Sequence, residues 1–387
     1  MHDPRTVKGG ILMRRKVQVW IVATILIMSM VGSLVLTIMF VPRSLNLDAK
    51  DVSVGKAVLP SERDGASAVW DGKNAYLFGG RSGTTYFDQI LRYNPSTDTI
   101  TVMSAKLPAA RTYVSVVWNG TYIYLFGGRV NKDFYNQILR YNPANDTIRV
   151  MNATLPDGRE ATSAVWDGKN AYIFGGLNGK EYLDQIVRYD PAADVATLMN
   201  AKLPGGRYAT SAVWDGKDAY IFGGRKGLTF IDEILQFHPA TGSVKVMGAS
   251  LPSGRDVTSA VWDGKNAYIF GGYDGRLATE DILRFDPVAD ECQVMNATMP
   301  SGRYGTSAIW DGTNAYVFGG VDKSTSFGQV LRCNVRDARS ASLLPLLGTV
   351  IIVILATFIV IIYVVVRHFR RTRTKDVPPV RTKKKRP

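Results

Sequence analysis

The sequence predicts an all-β fold, a six-bladed β-propeller closed by an N-terminal strand and flanked by two transmembrane helices, and three observations carry that expectation. First, a 48-residue unit recurs six times without insertion: tryptophan falls at Trp70, Trp118, Trp166, Trp214, Trp262 and Trp310, and a glycine pair runs from Gly79-Gly80 to Gly319-Gly320 at the same step. Second, each copy reads as four short strands, in the first copy residues 67–70, 74–78, 89–93 and 99–103, with period-2 alternation and enrichment in Val, Ile, Tyr and Phe. Third, residues 51–60 match residues 99–108 one period later, while the sixth copy leaves the pattern after Asn334. A fourth strand at the start therefore completes a blade at the end. Units of this size cannot bury a core alone, so they stack radially around an axis.

Composition separates the folded part from its ends. The chain has 387 residues and a formal charge of +14; residues 1–42 contribute +4 and residues 367–387 contribute +9, leaving +1 for everything between. The domain is near neutral and offers no basic face to a nucleic acid.

Residues 1–16 form a short basic segment ending in Arg14-Arg15-Lys16, and residues 17–41 are 25 uncharged, mostly apolar positions. At about 1.5 Å per residue these span a hydrocarbon core of about 30 Å with some tilt. The run is longer than the apolar region of a cleaved signal peptide and lacks its small-residue cleavage site. Residues 42–50 are a linker, residues 51–334 the propeller and residues 335–342 a second linker. A second span covers residues 343–366, followed at once by the basic tail, residues 367–387. Basic flanks place both termini in the cytoplasm and the propeller on the extracellular or lumenal side. The bilayer is then an obligate partner, with anionic headgroups near the tail. Sequons at Asn119, Asn145, Asn152 and Asn296 fit that placement, although Asn-rich turns generate such triplets by chance. The terminal Lys384-Lys385-Arg386-Pro387 is similar to a dilysine retrieval signal, and Lys383 to Arg386 to an import cluster, which two membrane spans argue against.

Within a copy, Asp71-Gly72 marks a tight turn between strands one and two, and Asn94-Pro95 turns strand three into strand four. These features, with the hydrophobic-Tyr-hydrophobic-Phe-Gly-Gly strand, the Arg92 to Pro95 strand end and the Leu-Pro-x-x-Arg connector, resemble the kelch family over about residues 51–334. The Trp70-Asp71 dipeptide suggests WD40 blades instead, but the period is too long and the Gly-His partner is missing. The chain departs from the kelch pattern where the resemblance implies a Trp, seven residues after the strand-three aromatic: Ile100, Ile148, Ala196, Val244 and Cys292 stand there. The Trp at the end of strand one implies a repacked core.

The sixth blade is cut between strands three and four, so both membrane helices should leave from the face of the Asp-Gly turns. The opposite face carries the candidate binding residues. Each connector ends in an arginine: Arg63, Arg111, Arg159, Arg207, Arg255 and Arg303. As a ring these could hold an acidic partner by bidentate contacts. Alternatively each pairs with the acid that begins strand three (Asp88, Asp184, Asp232, Glu280), which would free the arginines near blades two and six, where Asn136 and Gly328 stand. The loops after the glycine pairs differ among copies and carry Tyr86, Phe87, Phe134, Tyr135, Tyr182, Phe230 and Phe327, either contact anchors or packing between blades.

Catalytic chemistry has little to stand on. The three histidines, His2, His238 and His368, form no cluster with Cys or carboxylates at ligand spacing, and no cofactor or metal is expected. Cys292 and Cys333 read as buried thiols whose pairing the sequence leaves open. The kelch resemblance implies a non-catalytic binding scaffold, of receptor or adhesin type, for a protein partner on the membrane-distal face. The alternatives are a glycan-binding or glycan-processing propeller, which a convergent carboxylate pair at the channel mouth would favour, and a structural spacer held in the secretory pathway.

Overall fold

The computed structural model describes residues 52–335 and, beyond them, Tyr363 and Arg367. The predicted spans, the N-terminal segment, the first linker and the tail otherwise lie outside the described residues. Among those, no helix is long and apolar enough to cross a membrane.

Six antiparallel four-stranded sheets surround one axis, each counted from its inner strand outward. Blade I is Ser67–Trp70, Ala75–Phe78, Gln89–Asn94 and Thr99–Lys106, and blades II to V repeat it at the 48-residue step. Blade VI consists of Tyr304–Trp310, Ala315–Val321 and Gln329–Cys333, with Val52–Val58 as its outer strand. That strand pairs Val52 with Cys333 and Val54 with Leu331, so the chain enters and leaves at one point on the face of the Asp-Gly turns. Val335, read as linker, is 3% exposed and belongs to the core beside Phe270 and Cys333. The fold therefore ends one residue later than expected.

Six hydrophobic clusters fill the spaces between blades. Five of them join the second-strand aromatics of one blade to the strand-three aromatic of the next. Tyr76 and Phe78 meet Tyr141 at 5.7 and 5.6 Å, and Tyr220 and Phe222 meet Phe285 at 5.4 and 5.6 Å, in tilted or edge-on contacts that suit the ring quadrupoles. In blade VI the aromatic slot holds Cys333, a free thiol whose pKa burial pushes up to about 12. Cys292 is also unpaired. Trp262 stacks on Tyr220 of blade IV, and this is how a tryptophan at the end of the inner strand serves the inter-blade core.

The glycine pair has a steric cause. The backbone of the next connector crosses over it, so that a Cβ on Gly79 would lie 2.1 Å from the Arg111 carbonyl oxygen, while Gly80 donates its N–H to that oxygen at 3.0 Å. Nearer the axis, the second residue after each connector arginine has positive φ (Gly65, Tyr113, Ala161, Ala209, Val257, Gly305). Each donates its N–H to the carbonyl of its counterpart in the preceding blade at 2.7 to 3.0 Å, and Gly65 donates to Gly305, so six backbone hydrogen bonds close a circle.

A second circle, of hydroxyls, is incomplete. Ser115, Ser163, Ser211 and Ser259 each share a hydrogen bond of 2.7 or 2.8 Å with a threonine of the following blade. Ser307 faces Ala66 instead, and its buried Oγ has no partner among the described residues. Four other blades accommodate threonine at this position beside the second glycine, so the space is available. Ala66→Thr is expected to raise stability by about 1 kcal/mol by satisfying that oxygen, read as a higher denaturation midpoint; a lower midpoint would show that the hydroxyl finds no place.

Candidate binding face

Strand direction sorts the loops onto two faces. The Asp-Gly turns and strand three-to-four turns lie on one, and the connectors and post-glycine loops lie on the other, away from the point where the chain enters and leaves.

All six connector arginines are internal, between 0 and 3% exposed. In Arg111 the Nε donates to the Ala109 carbonyl at 3.2 Å, one terminal nitrogen to the Gly127 carbonyl at 3.2 Å and the other to Gln137 Oε1 at 2.9 Å. The fork thus ties connector, glycine pair and strand three together. The partner at the strand is Gln89, Gln137, Gln185 or Gln329 in four blades, and Glu233 or Asp281 in two. Burial pulls the pKa of Arg63, Arg111, Arg159 and Arg303 down to about 10, leaving them charged at neutral pH.

This corrects two expectations. The acids Asp88, Asp184, Asp232 and Glu280 stand one residue too early to meet the arginines. Their backbone carbonyls accept the N–H of Leu107, Leu203, Leu251 and Met299, while the Asp88 and Asp184 side chains make exposed pairs with Lys106 and Lys202. Nor are the arginines of blades II and VI free, since Arg111 and Arg303 are 0% exposed and bond the glycine-pair carbonyl and the strand-three Gln. The arginine ring is an internal set of staples and presents no guanidinium surface.

The aromatics divide into two sets. Phe87, Tyr135 and Phe327 lie over the guanidinium carbons of Arg63, Arg111 and Arg303 at 4.2, 4.1 and 4.1 Å, as lids on the staples. In the other blades Leu183, Ile231 and Thr279 stand at this position, and Thr279 Oγ1 accepts a hydrogen bond from Arg255 at 3.1 Å. The second set reaches toward the next blade. Tyr182 stacks on Tyr208 at 5.4 Å, Phe230 meets Tyr273 edge-on at 5.6 Å, and the Phe134 ring lies where a Cβ on Gly179 would be 2.8 Å away. Tyr86 pairs through its backbone with Arg81 in a two-residue hairpin. All seven are half-buried.

At the axis stands a group that sequence reading missed. Asp64, Glu160 and Asp256, the residues directly after three connector arginines, are 2 to 4% exposed. Arg81 reaches Asp64 at 3.3 Å, Arg129 reaches Glu160 at 2.8 Å and Arg225 reaches Asp256 at 3.3 Å. Tyr113 donates its hydroxyl to Asp64 at 3.0 Å, and Arg225 donates to the Tyr208 hydroxyl. Desolvation raises the Glu160 pKa, and that of Asp256 to about 6, against the opposing pull of Arg129 and Arg225. The signal was present in the sequence, since acids follow the connector arginine in alternate copies, but a period of two blades is invisible to a one-blade comparison.

What remains exposed on this face is the loop tips. Leu228 of blade IV is 94% exposed and Leu277 of blade V 59% exposed, flanked by exposed Lys226 and Arg276. Of the sequon asparagines, Asn145, Asn152 and Asn296 are exposed, whereas Asn119 is half-buried and accepts the N–H groups of Thr121 and Tyr122.

Six equal blades, closed by an N-terminal strand and carrying unlike loops on a rigid face, define a propeller of the kelch type. A family model described as Attractin/LZTR1 beta-propeller matches residues 46–283, from just before the closing strand into blade V. The chain belongs to that family. No curated protein matches it.

Proposed function

We propose that this chain is a membrane-anchored, non-catalytic scaffold that takes a protein partner on the loop face of its propeller. One observation carries the reading: the chain enters and leaves blade VI together on the face of the Asp-Gly turns, and the opposite face ends in loops unlike one another, with Leu228 and Leu277 exposed on adjacent blades. Apolar tips beside a Lys and an Arg are contact chemistry suited to a protein surface. Residues 17–41 and 343–366 supply the anchors, with both termini cytoplasmic and the propeller outside or in a lumen. The glycan-processing alternative needs carboxylates free to act. At the axis, Asp64, Glu160 and Asp256 are buried and each is held by an arginine.

The test is site-directed photocrosslinking in the full-length protein, in its own membrane. Probes at Leu228 and Leu277 are expected to form one discrete protein adduct, and a probe at Lys73, exposed on the Asp-Gly face of blade I, none. Equal adducts from both faces, or retention of glycans with no protein adduct, would overturn the reading.

A further inference from the structure

The rim of the ring is held together by a repeated carboxylate latch. In blades I, II, III and V the turn between strands three and four contains an aspartate with positive φ, Asp98, Asp146, Asp194 and Asp290. Each reaches back to the outer strand of the preceding blade. Asp146 accepts the N–H groups of Ser104 and Ala105 at 2.8 and 3.2 Å, Asp194 those of Asn152 and Ala153 at 2.9 and 3.3 Å, and Asp290 those of Gly248 and Ala249 at 2.8 and 2.9 Å. Asp98 accepts the N–H of Lys56 at 2.5 Å. The donors lie at a β-bulge, where the outer strand carries extra residues whose amides are turned away from the neighbouring strand.

Blade IV breaks the series. Gly242 stands where the aspartate would be, with φ of 68° in the same left-handed region, and a Cβ built there meets only the Ala201 Cβ, at 3.8 Å. The blade III bulge itself is intact, with the register slipping between Gln185 and Val187 as in the other blades. Its donors, the Asn200 and Ala201 amides, therefore face a space that a carboxylate fills at four other seams.

Tyr93, Tyr141 and Tyr189 donate their hydroxyls to the latch aspartates at 3.0, 2.9 and 3.1 Å; blade IV carries Phe237 there and has no hydroxyl to satisfy, as in blade V, where Phe285 stands beside an intact latch. On the other side stands Arg188 of blade III. Its equivalents Arg92 and Arg140 act electrostatically both on Tyr76 and Tyr124 of their own blades and on Tyr141 and Tyr189 of the following blade, so this arginine series lies at the seams between blades. Arg188 is exposed and acts electrostatically on Tyr172 of its own blade. Two bulge amides thus face a place that lacks the carboxylate present at four other seams, and Arg188 belongs to the same seam.

We propose that the notch between blades III and IV is a carboxylate-binding site, occupied by an aspartate or glutamate side chain of an acidic partner segment. The geometry is one at which carboxylates are already held four times in the same ring, and Arg188 adds a charge-assisted contact. The inference is independent of which face binds the partner proposed above.

The test uses full-length, isotope-labelled protein and acetate as the probe, titrated against chloride at constant ionic strength. The Asn200 and Ala201 amide resonances are expected to move saturably. Arg188→Ala should weaken the response several-fold, and Gly242→Ala, which leaves the notch open, should keep it. Gly242→Asp should abolish the response, because the new side chain takes the place of the ligand, with both amides then resting near their acetate-saturated positions. No saturable movement with acetate, an unchanged response in Gly242→Asp, or a response to phosphate or anionic vesicles alone would each overturn the proposal.

Discussion

Arg111→Ala is expected to destabilise the propeller by about 3–5 kcal/mol, the effect of losing a large buried side chain and leaving its hydrogen-bond acceptors unpaired. The side chain is fully buried and its fork holds the Ala109 and Gly127 carbonyls and Gln137 Oε1. The Arg111 backbone carbonyl also receives the Gly80 N–H from blade I, so a shifted connector loosens two blades at once. Arg111→Lys should recover little of the loss, since an ammonium cannot reproduce three donors in a fixed plane. Denaturant unfolding monitored by tryptophan fluorescence reads the change. A loss below about 1 kcal/mol would mean that the staple is dispensable.

Breaking the closing strand is expected to have the second large effect. Ser53→Pro with Val54→Pro places proline at adjacent ladder positions, opposite Arg332 and Leu331. Adjacent residues of an antiparallel strand point their N–H groups in opposite directions, so one of the two must lose a ladder bond, and a proline inside a paired strand is poorly tolerated. The consequence is local before it is global. Cys333 is 0% exposed and paired with Val52, so opening blade VI should make this thiol react with a maleimide under native conditions, while Cys292 in blade V serves as the internal reference. An unchanged Cys333 labelling rate would show that the ring stays shut without this strand.

The architecture was legible because it is written in backbone requirements. Glycine pairs, Asp-Gly turns and a fixed step leave few foldings open, and the unmatched stretch at residues 51–60 points to the closing blade, whose strand is Val52–Val58. The candidate site was legible only as a set of positions. The arginines were found, but their surroundings were not, because successive residues of a strand point to opposite sides. Asp88 and Gln89 are neighbours in sequence, and only Gln89 faces the guanidinium. Charge led to the aspartate, whereas geometry selects the neutral amide. The loop aromatics were likewise legible only as positions, and nothing in the pattern reveals that Phe87, Tyr135 and Phe327 are lids on buried cations. The Gly242 substitution was plainly visible, yet it acquires meaning only when the four equivalent aspartates are seen to reach a different blade.

The side-by-side exit of the chain at blade VI has a mechanical consequence. Val52 and Cys333 are paired at the same end of two antiparallel strands. Tension that draws the two flanking segments apart would peel this pair open one hydrogen bond at a time. Tension applied to both segments together, against a load on the far face, runs along the two strands in parallel and leaves the bonds between them unstrained. If both segments are anchored on one side, as proposed, the ring bears a pull across its thickness at its strongest, and a cut in either segment removes that protection.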